Sequence, residues 1–215
     1  GFSGSGIVSA YLRTKGYHVE ANDVSVSSAL FGRVFLNGFD QLEVDKHIEI
    51  MNNLTPTSGW LAENYSGERT RKVRGKQQQE VRPLAFQKKN AEKLDAARDY
   101  VETLLVSETI KDALIFAIIL AANRAMNISN DQKSSLKKWS NNSLKDIIFH
   151  SPSNVAGIKG TQHNGDIFTV KNSYDLVYLD PPYCSGVLYP ACYHINDSLV
   201  IWDKPELNSN YALPR

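Results

Sequence analysis

The first 23 residues carry the pattern that most constrains the fold, a glycine-rich turn followed by a helix and a short strand. Residues 1–6 read GFSGSG, and apolar residues then recur at helical spacing up to Gly16, a residue type that often ends a helix. Residues 17–23, YHVEAND, alternate toward a strand that ends on Asn22 and Asp23. A turn, a helix and a strand with a terminal acid form half of a nucleotide-binding βαβ unit. The strand that should precede the turn is missing from this sequence, which also begins without Met, so we expect a fragment.

The middle of the chain differs from both ends. Residues 57–82 are polar, contain three glycines and follow neither helical nor strand periodicity, which predicts a long mobile loop. Helical spacing predicts helices over residues 25–37, 43–54, 83–105 and 109–126, and a shorter polar helix near 131–139. After Ser151 the pattern returns to α/β. We therefore expect an α/β fold in three parts: residues 1–56 and 151–215 form the core, and residues 57–150 form a loop and a largely helical insertion.

Positive charge is concentrated in one stretch of an otherwise balanced chain. The sequence has 24 Lys and Arg against 23 Asp and Glu, a formal net charge of +1, which excludes a uniformly basic nucleic-acid coat. The stretch from Arg69 to Lys93 contains nine basic residues and only two acidic residues. Such a stretch is either a solvated charged surface or a set of phosphate contacts. The candidate DNA-binding residues are Arg69, Arg71, Lys72, Arg74, Lys76 and Arg82.

Several classes of protein are excluded by the composition. The longest apolar run, residues 113–122, has ten residues, far short of the roughly 20 that cross a bilayer, so we expect no membrane helix. Cys184 and Cys192 are the only cysteines, which argues against a disulfide framework and for a reducing, cytoplasmic compartment. The five histidines form no HxH or HExxH motif, so we expect no catalytic metal.

The sharpest chemical signal is Asp180-Pro181-Pro182-Tyr183, which follows the apolar segment YDLVYLD of residues 174–180. That segment predicts a buried strand, and ligands of open α/β sheets bind at the carboxyl ends of strands. The two prolines stiffen the loop and remove two N–H donors, so its carbonyls are left as acceptors. Asp180 and the Pro181 carbonyl could accept from an amine of a planar group on which Tyr183 stacks. A plain strand followed by a proline turn remains the alternative.

Four motifs occur in a defined order: FSGSG at residues 2–6, ND at 22–23, GDIF at 165–168 and LDPPY at 179–183. In this order, with a long insertion before the third, they resemble the S-adenosylmethionine-dependent DNA adenine-N6 methyltransferases of the alpha-group motif order. The segments YSGERTRKVR and VRPLAFQKKNAEK are also similar to parts of that family's restriction-modification members. The resemblance implies a Rossmann-like methyltransferase core interrupted by a target-recognition region.

The resemblance also implies roles for individual residues. The glycine turn would approach the methionine part of S-adenosylmethionine, Asp23 would accept from the ribose hydroxyls, and Asp166 with Ile167 would hold the adenine. The implied cofactor-binding residues are Phe2, Ser3, Gly4, Ser5, Gly6, Asn22, Asp23, Asp166 and Ile167. Taken singly, the glycine turn could be an ordinary turn, Asp23 a helix cap and Asp166 a surface turn.

The implied catalytic residues are Asp180, Pro181, Pro182 and Tyr183. They would act on the exocyclic N6 of adenine in double-stranded DNA, and the resemblance implies a cytoplasmic enzyme with a cognate restriction endonuclease as a partner. Related motifs act on cytosine N4, on guanine N2 in RNA or on protein amides, so these acceptors stay open. Only 32 residues follow Tyr183, which leaves a second alternative, a truncated non-catalytic module that binds DNA or cofactor.

Overall fold

The computed structural model describes residues 1–72, 79–129, 132, 134–182 and 189–207, and in these ranges the fold is mixed α/β. The helices are α1 Ile7–Thr14, α2 Val26–Asn37, α3 Gln41–Asn53, α4 Trp60–Tyr65, α5 Lys88–Thr103, α6 Glu108–Ala125 and α7 Tyr189–Ile201, with a 3-10 helix at Ile167–Thr169. The strands are β1 Glu20–Asp23, β2 Glu68–Lys72, β3 Gln79–Pro83 and β4 Thr161–Asn164. No described helix combines the length and apolar character needed to cross a membrane.

The chain divides into two compact units. The first comprises Gly1–His47, Leu105–Phe116 and Ser151–Val187, and the second comprises Ile48–Leu104, Ala117–His150 and Leu188–Arg215. Neither unit is continuous in sequence, because the chain enters and leaves each of them more than once. The division into residues 1–56, 57–150 and 151–215 assigns a role to each part of the chain, and it stays a prediction.

The first unit is built on one parallel strand pair. Strand β1 pairs with β4 in a register that matches Asp23 with Asn164, so both strands end at the same edge. Leu36 of α2 is fully buried against Val19 and Ala21, which places α2 on this pair. A parallel pair needs a long connection between its strands, and here that connection contains all the residues from α2 to β4.

Helix α6 begins in the first unit and is fixed to α2 by charge and by aromatic packing. The guanidinium of Arg33 donates two hydrogen bonds to the carboxylate of Asp112, both at 2.7 Å. Phe116 packs edge-on against Phe31 and Phe35, with ring centroids 5.2 and 5.3 Å apart. Bidentate Arg–carboxylate pairs have defined geometry, so this contact fixes the orientation of α6 on α2.

The predicted strand over residues 174–180 is wrong. No described residue in this segment belongs to a strand, and Leu176, Val177, Tyr178 and Leu179 are all more than half exposed. A strand forms only where a neighbour supplies ladder hydrogen bonds. Within the described chain β1 pairs with β4 alone, so the apolar segment has no strand beside it. A Rossmann-like core needs a parallel sheet of several strands, and the described residues form only one parallel pair, β1 and β4.

The second unit corrects the loop predicted over residues 57–82. That range contains helix α4 and the antiparallel hairpin of β2 and β3, in which Arg69 pairs with Arg82. Gly67, at φ +81°, precedes the hairpin, and its N–H donates to the Phe86 carbonyl at 3.0 Å. The hairpin was missed because its strands are polar on both faces, so they lack the apolar alternation that marks a strand.

The predicted helices of this unit also need adjustment. The helix expected from residue 83 begins at Lys88, because residues 84 and 86 donate their N–H groups to Gly67 and Tyr65 and keep the chain extended. The short helix expected near 131–139 is not formed by the described residues of that range. Helix α7 was not predicted at all.

Buried polar groups hold the helices of the second unit together. Asp95 is fully buried on α5 and accepts from the main-chain N–H groups of Gly59, Leu61 and Ala62 at 2.8 to 3.1 Å, which caps α4. Burial raises the pKa of Asp95 above its ordinary value. Arg98, also on α5, donates to the carbonyl of Leu199 at 2.6 Å, close to the end of α7. Helix ends carry unpaired main-chain groups, so Asp95 provides an acceptor for N–H groups at the start of α4 and Arg98 provides a donor for a carbonyl near the end of α7.

Candidate cofactor and catalytic site

The glycine turn that precedes α1 has the unusual backbone expected from its sequence. Gly4 and Gly6 have φ values of 51° and 73°, a region that glycine adopts without strain, and Phe2 has a φ of 62°, which is uncommon for a residue other than glycine. The N–H of Gly6 donates to the Ser3 carbonyl at 2.8 Å and closes the turn. A Cβ on Gly6 would lie 2.9 Å from the Phe35 ring, so a larger residue does not fit there. Ser5 is exposed at the surface of this turn.

Asp23 ties the glycine turn to the end of β1. Its side chain is buried, and its two carboxylate oxygens accept from the N–H of Gly4 at 2.8 Å and of Ser25 at 2.9 Å. The cap of α2 is Ser25, whose hydroxyl accepts from the Ser28 N–H, so the helix-cap interpretation of Asp23 is wrong. A carboxylate offers about four acceptor positions, and two of them remain for other donors.

Asn164 holds the same loop from the neighbouring strand, and sequence reasoning missed it. Its side-chain N–H₂ donates to the carbonyl of Asp23 at 2.9 Å and to that of Val24 at 3.1 Å. The N–H of Gly165 also donates to the Asp23 carbonyl, at 3.1 Å. The available signal was an Asn at a strand end immediately before a Gly-Asp turn, since short amide side chains at such positions bond nearby main chain.

Asp166 and Ile167 lie in the turn that follows β4. Asp166 is exposed, and its Oδ1 accepts from the Phe168 N–H at 2.9 Å, which caps the 3-10 helix. Ile167 packs close to Gly1, because a Cβ added to Gly1 would lie 2.7 Å from the Ile167 Cδ1 and 3.0 Å from the Leu179 Cδ2. The start of the glycine turn, the GDIF segment and the LDPPY segment therefore meet at one place.

The catalytic motif itself is described only in part. Residues 180–182 are exposed, so Asp180 does not follow a buried strand as predicted, although Leu179 directly before it packs on Gly1. Tyr183, like Arg74 and Lys76, lies outside the described residues. The Tyr178 carbonyl accepts from the Gly1 amine at 2.7 Å, which fixes the segment beside the glycine turn.

A cavity of about 330 Å³ opens at the shared edge of β1 and β4, lined among others by Asn22, Asn164, Gly165 and Lys171. Asn22 is almost fully buried, and its side-chain nitrogen has no hydrogen-bond partner among the described residues. The Ser3 hydroxyl, in the glycine turn, is likewise buried without a described partner. Buried polar atoms in native proteins are normally satisfied, so two such atoms at the predicted site fit a polar ligand.

One carboxylate beside this cavity accepts three hydrogen bonds from protein groups, all at its Oε2. Glu20 accepts from the Tyr174 hydroxyl at 2.8 Å, from the Asn172 amide at 2.9 Å and from His163 Nε2 at 3.2 Å. These hydrogen bonds, that from Tyr174 first, lower the pKa of Glu20 below its ordinary value. Glu20 thus anchors the chain between the GDIF and DPPY segments to β1. Across the described residues, no group of three or more His, Cys, Asp or Glu side chains could hold a metal.

The predicted DNA-binding residues lie on the hairpin. Arg69 is exposed on β2, while Arg82 on β3 donates to the Glu80 carboxylate at 2.7 and 2.9 Å. The side chains of Arg71 and Lys72 are outside the described set, although both residues belong to β2. The basic stretch is not uniform, because Lys93 at its end donates to the carbonyls of residues 52 and 54 and so has a structural role.

Comparison with known proteins gives a match over nearly the whole chain. A family model described as D12 class N6 adenine-specific DNA methyltransferase matches residues 2–209. The chain is also similar to the Type II methyltransferase M.NlaIII of Neisseria lactamica, with 26% identity over 211 residues. This alignment covers 94% of the chain but 60% of the relative, so the chain spans about three fifths of the length of that protein. No solved structure gives a significant match.

Proposed function

We propose that this chain, which belongs to the D12 class of N6 adenine-specific DNA methyltransferases, transfers a methyl group from S-adenosylmethionine to N6 of adenine in DNA. The observation that carries the proposal is the meeting of the motifs. Asp23 holds Gly4 of the glycine turn, and the start of that turn packs on Ile167 and Leu179. A cofactor bound at the turn would therefore lie beside the DPPY segment.

The cofactor would be held by residues 2–6, Asn22, Asp23, Asp166 and Ile167. The two unused acceptor positions of Asp23 would receive the ribose hydroxyls, and the buried Ser3 hydroxyl and Asn22 amide would find partners in the bound molecule. Asp166 uses one oxygen to cap the 3-10 helix, which leaves the other to accept from the adenine amino group. S-adenosylmethionine supplies a methyl group activated by its positively charged sulfur.

The target amine would be positioned by Asp180 and by the carbonyl of Pro181. The lone pair of an adenine amino group is delocalised into the ring, so the nitrogen is a weak nucleophile until it becomes pyramidal. Two acceptors that hold its N–H bonds favour the pyramidal form, which is catalysis by positioning and electrostatics. Pro182 stiffens the loop.

A base inside a duplex cannot reach such a loop, so the target adenine would flip out of the helix. Flipping costs a few kcal/mol, and stacking on Tyr183 would offset roughly 1 to 3 kcal/mol of that cost. The phosphate contacts would come from the hairpin residues Arg69, Arg71, Lys72, Arg74, Lys76 and Arg82. These contacts position the DNA, whereas the recognised sequence depends on base contacts.

The finer architecture belongs to the same proposal. The β1–β4 pair would be part of a Rossmann-like core, since its carboxyl edge carries the predicted cofactor residues, and residues 57–150 would be the target-recognition insertion. The relative named Type II methyltransferase supports a role in restriction-modification, with a cognate endonuclease as partner and the cytoplasm as location.

Incubation of the chain with DNA and methyl-labelled S-adenosylmethionine tests the function. We expect label in DNA and, after digestion to nucleosides, N6-methyl-2′-deoxyadenosine as the product. Label in cytosine would show that the methyl acceptor is N4 of cytosine and not N6 of adenine. Cofactor binding by calorimetry without any transfer to DNA would contradict the proposed activity and leave a binding module.

A further inference from the structure

We propose that a second basic segment, residues 134–140, belongs to the DNA-binding surface together with the β2–β3 hairpin. Lys137 and Lys138 in this segment contact phosphates, and Trp139 holds the segment on the hairpin. The inference rests on the proposed function, because it takes duplex DNA to be the partner. It goes beyond that function by adding residues from a part of the chain that the basic stretch of residues 69–93 does not include.

Hydrogen bonds attach the segment to the base of the hairpin. The indole N–H of Trp139 donates to the Glu68 carboxylate on β2 at 3.2 Å. On the other strand, the Ser135 hydroxyl donates to the carbonyl of Pro83 at 2.5 Å. Glu68 and Pro83 face each other in the hairpin register, so the segment crosses both strands at their first pair.

Hydrogen bonds of Asn127 connect the segment to the chain directly after the hairpin. Its N–H donates to the Ala85 carbonyl at 2.7 Å, directly after the hairpin, and its own carbonyl accepts from the Leu136 N–H at 2.8 Å. Its side-chain oxygen accepts from the Ser140 N–H at 2.9 Å. Asn127 is fully buried. The segment therefore has a defined position beside the hairpin.

The charges on this surface leave a positive excess. The described side chains Arg69, Arg82, Lys137 and Lys138 carry four positive charges against the two carboxylates of Glu68 and Glu80, and Glu80 is already paired with Arg82. The hydrogen bonds from Arg82 lower the pKa of Glu80, and the positive charge of Lys137 adds to this effect.

Lys137 and Lys138 are exposed, and neither forms a salt bridge with a described residue. Arg69 on the adjacent strand is also exposed and is bonded to no described group. By contrast, Lys88 and Lys89 on α5 pair with Glu92 and Asp146. Arg69, Lys137 and Lys138 are thus available to an outside partner, and they lie on the hairpin and on the segment attached to it.

A duplex fits this surface better than an acidic protein patch does, because phosphates repeat at regular spacing and are met by separate exposed cations. Lysines act as point charges on flexible stems, which suits contacts to backbone phosphates of any sequence. The indole of Trp139 uses its N–H within the protein, so its role is to position the two lysines.

The test compares the salt dependence of DNA binding in three proteins. They are the wild-type chain, the double variant Lys137→Gln/Lys138→Gln and the control Lys46→Gln/Lys159→Gln. The control removes the same two charges from exposed positions elsewhere. Binding of a fluorescent 30-base-pair duplex of mixed sequence is measured by anisotropy at several salt concentrations. We expect the slope of log affinity against log salt to fall by about 2 in the first variant, one unit per lysine, and to be unchanged in the control.

Trp139→Phe provides a second measurement, since it keeps an aromatic ring at this position and removes the N–H that donates to Glu68. We expect an intermediate loss of slope. If the wild type binds DNA with a steep salt dependence and the lysine variant gives the same slope, the inference is wrong while the proposed function stands. Equal losses in the lysine variant and the control would show an effect of net charge alone and would also overturn it. A wild-type chain that binds no duplex at low salt would contradict both.

Discussion

The carboxylate of Asp23 has two roles to reconcile, because it already accepts from two main-chain N–H groups and is proposed to accept from a ribose. The two roles are compatible, since two acceptor positions hold the glycine turn and Ser25, and a carboxylate has about two more that can accept from a ligand. The residue would then shape the site and bind the ligand at once. Asn164 supports it by holding the Asp23 carbonyl.

We expect Asp23→Ala to weaken binding of S-adenosylmethionine, or of its demethylated product, by about 1 to 3 kcal/mol, because charge-assisted hydrogen bonds are lost. Calorimetry measures the affinity. Asp40→Ala is a matched control, since the Asp40 carboxylate also accepts from a main-chain N–H, that of Glu43 at 3.1 Å, in the first unit. Equal affinity for the Asp23 variant and the wild type would rule out the ribose role.

Asp180 is assigned to the transition state, so its substitution has a different signature. Asp180→Ala should lower kcat by roughly 10² or more and leave cofactor affinity nearly unchanged, because the interaction strengthens only as the nitrogen becomes pyramidal. Single-turnover methyl transfer measures the chemical step, and calorimetry measures the affinity. Full transfer by this variant would reduce the DPPY segment to a structural turn.

Among the elements, α1, β1, α2, α3 and α6 were predicted within a few residues of their observed bounds. Their sequences show helical or strand periodicity, a glycine boundary or, in α6, a continuous apolar run, and that local signal decides their structure. The family was also predicted, because its motifs are short and ordered along the chain, and the family model confirms it.

The elements that were missed depend on contacts that periodicity does not record. The hairpin strands are polar on both faces, so pairing across the two strands creates them. The apolar segment of residues 174–180 shows the opposite case, because its composition favours a strand but no described strand lies beside it. The cofactor residues were implied by the resemblance of the motifs to those of the family, whereas Asn164 acts through main-chain carbonyls, which no motif specifies.

Helix α7 carries a buried histidine that gives the stability of the second unit a defined pH dependence. His194 is nearly fully buried, its Nδ1–H donates to the Ala191 carbonyl at 3.0 Å, and its ring lies 5.7 Å from that of Tyr65. Burial lowers the pKa of His194 below the ordinary value of 6.5. The imidazole of His194 is therefore protonated near pH 6.5 in the unfolded chain but only at lower pH in the folded chain.

We expect the free energy of unfolding to fall as the pH drops below 6.5, by at most about 1.4 kcal/mol per pH unit from this group. All three tryptophans, Trp60, Trp139 and Trp202, lie in the second unit, so their fluorescence in urea titrations reports its unfolding. His194→Gln should lose this part of the pH dependence, whereas the exposed control His150→Gln should keep it. The same pH dependence in both variants would contradict the assignment.

At the scale of the whole molecule, the proposed cofactor contacts and the proposed phosphate contacts lie in different units, while the target adenine would be held by Asp180 and Pro181 of the first unit. Every described residue proposed to bind the cofactor lies in the first unit, whereas the hairpin and residues 134–140 lie in the second. A ligand stabilises the structure that it binds by an amount that rises with the logarithm of the ligand concentration above its Kd, about 2.7 kcal/mol at 100 times the Kd. Hydrogen exchange separates the effects, because local opening is measured peptide by peptide.

Saturation with the demethylated cofactor should slow exchange most in residues 1–25 and 161–169, by up to about 100-fold where exchange occurs through opening of the site. Duplex DNA alone should instead protect residues 66–72, 79–86 and 134–140. The helix α4 and the first turns of α5 serve as an internal control, since no proposed ligand contact involves them. Cofactor protection centred on the hairpin, or DNA protection centred on the glycine turn, would show that the ligands had been assigned to the wrong units. Uniform protection by either ligand would mean that the two units open together, and the sites would then have to be mapped by the single substitutions at Asp23 and Lys137.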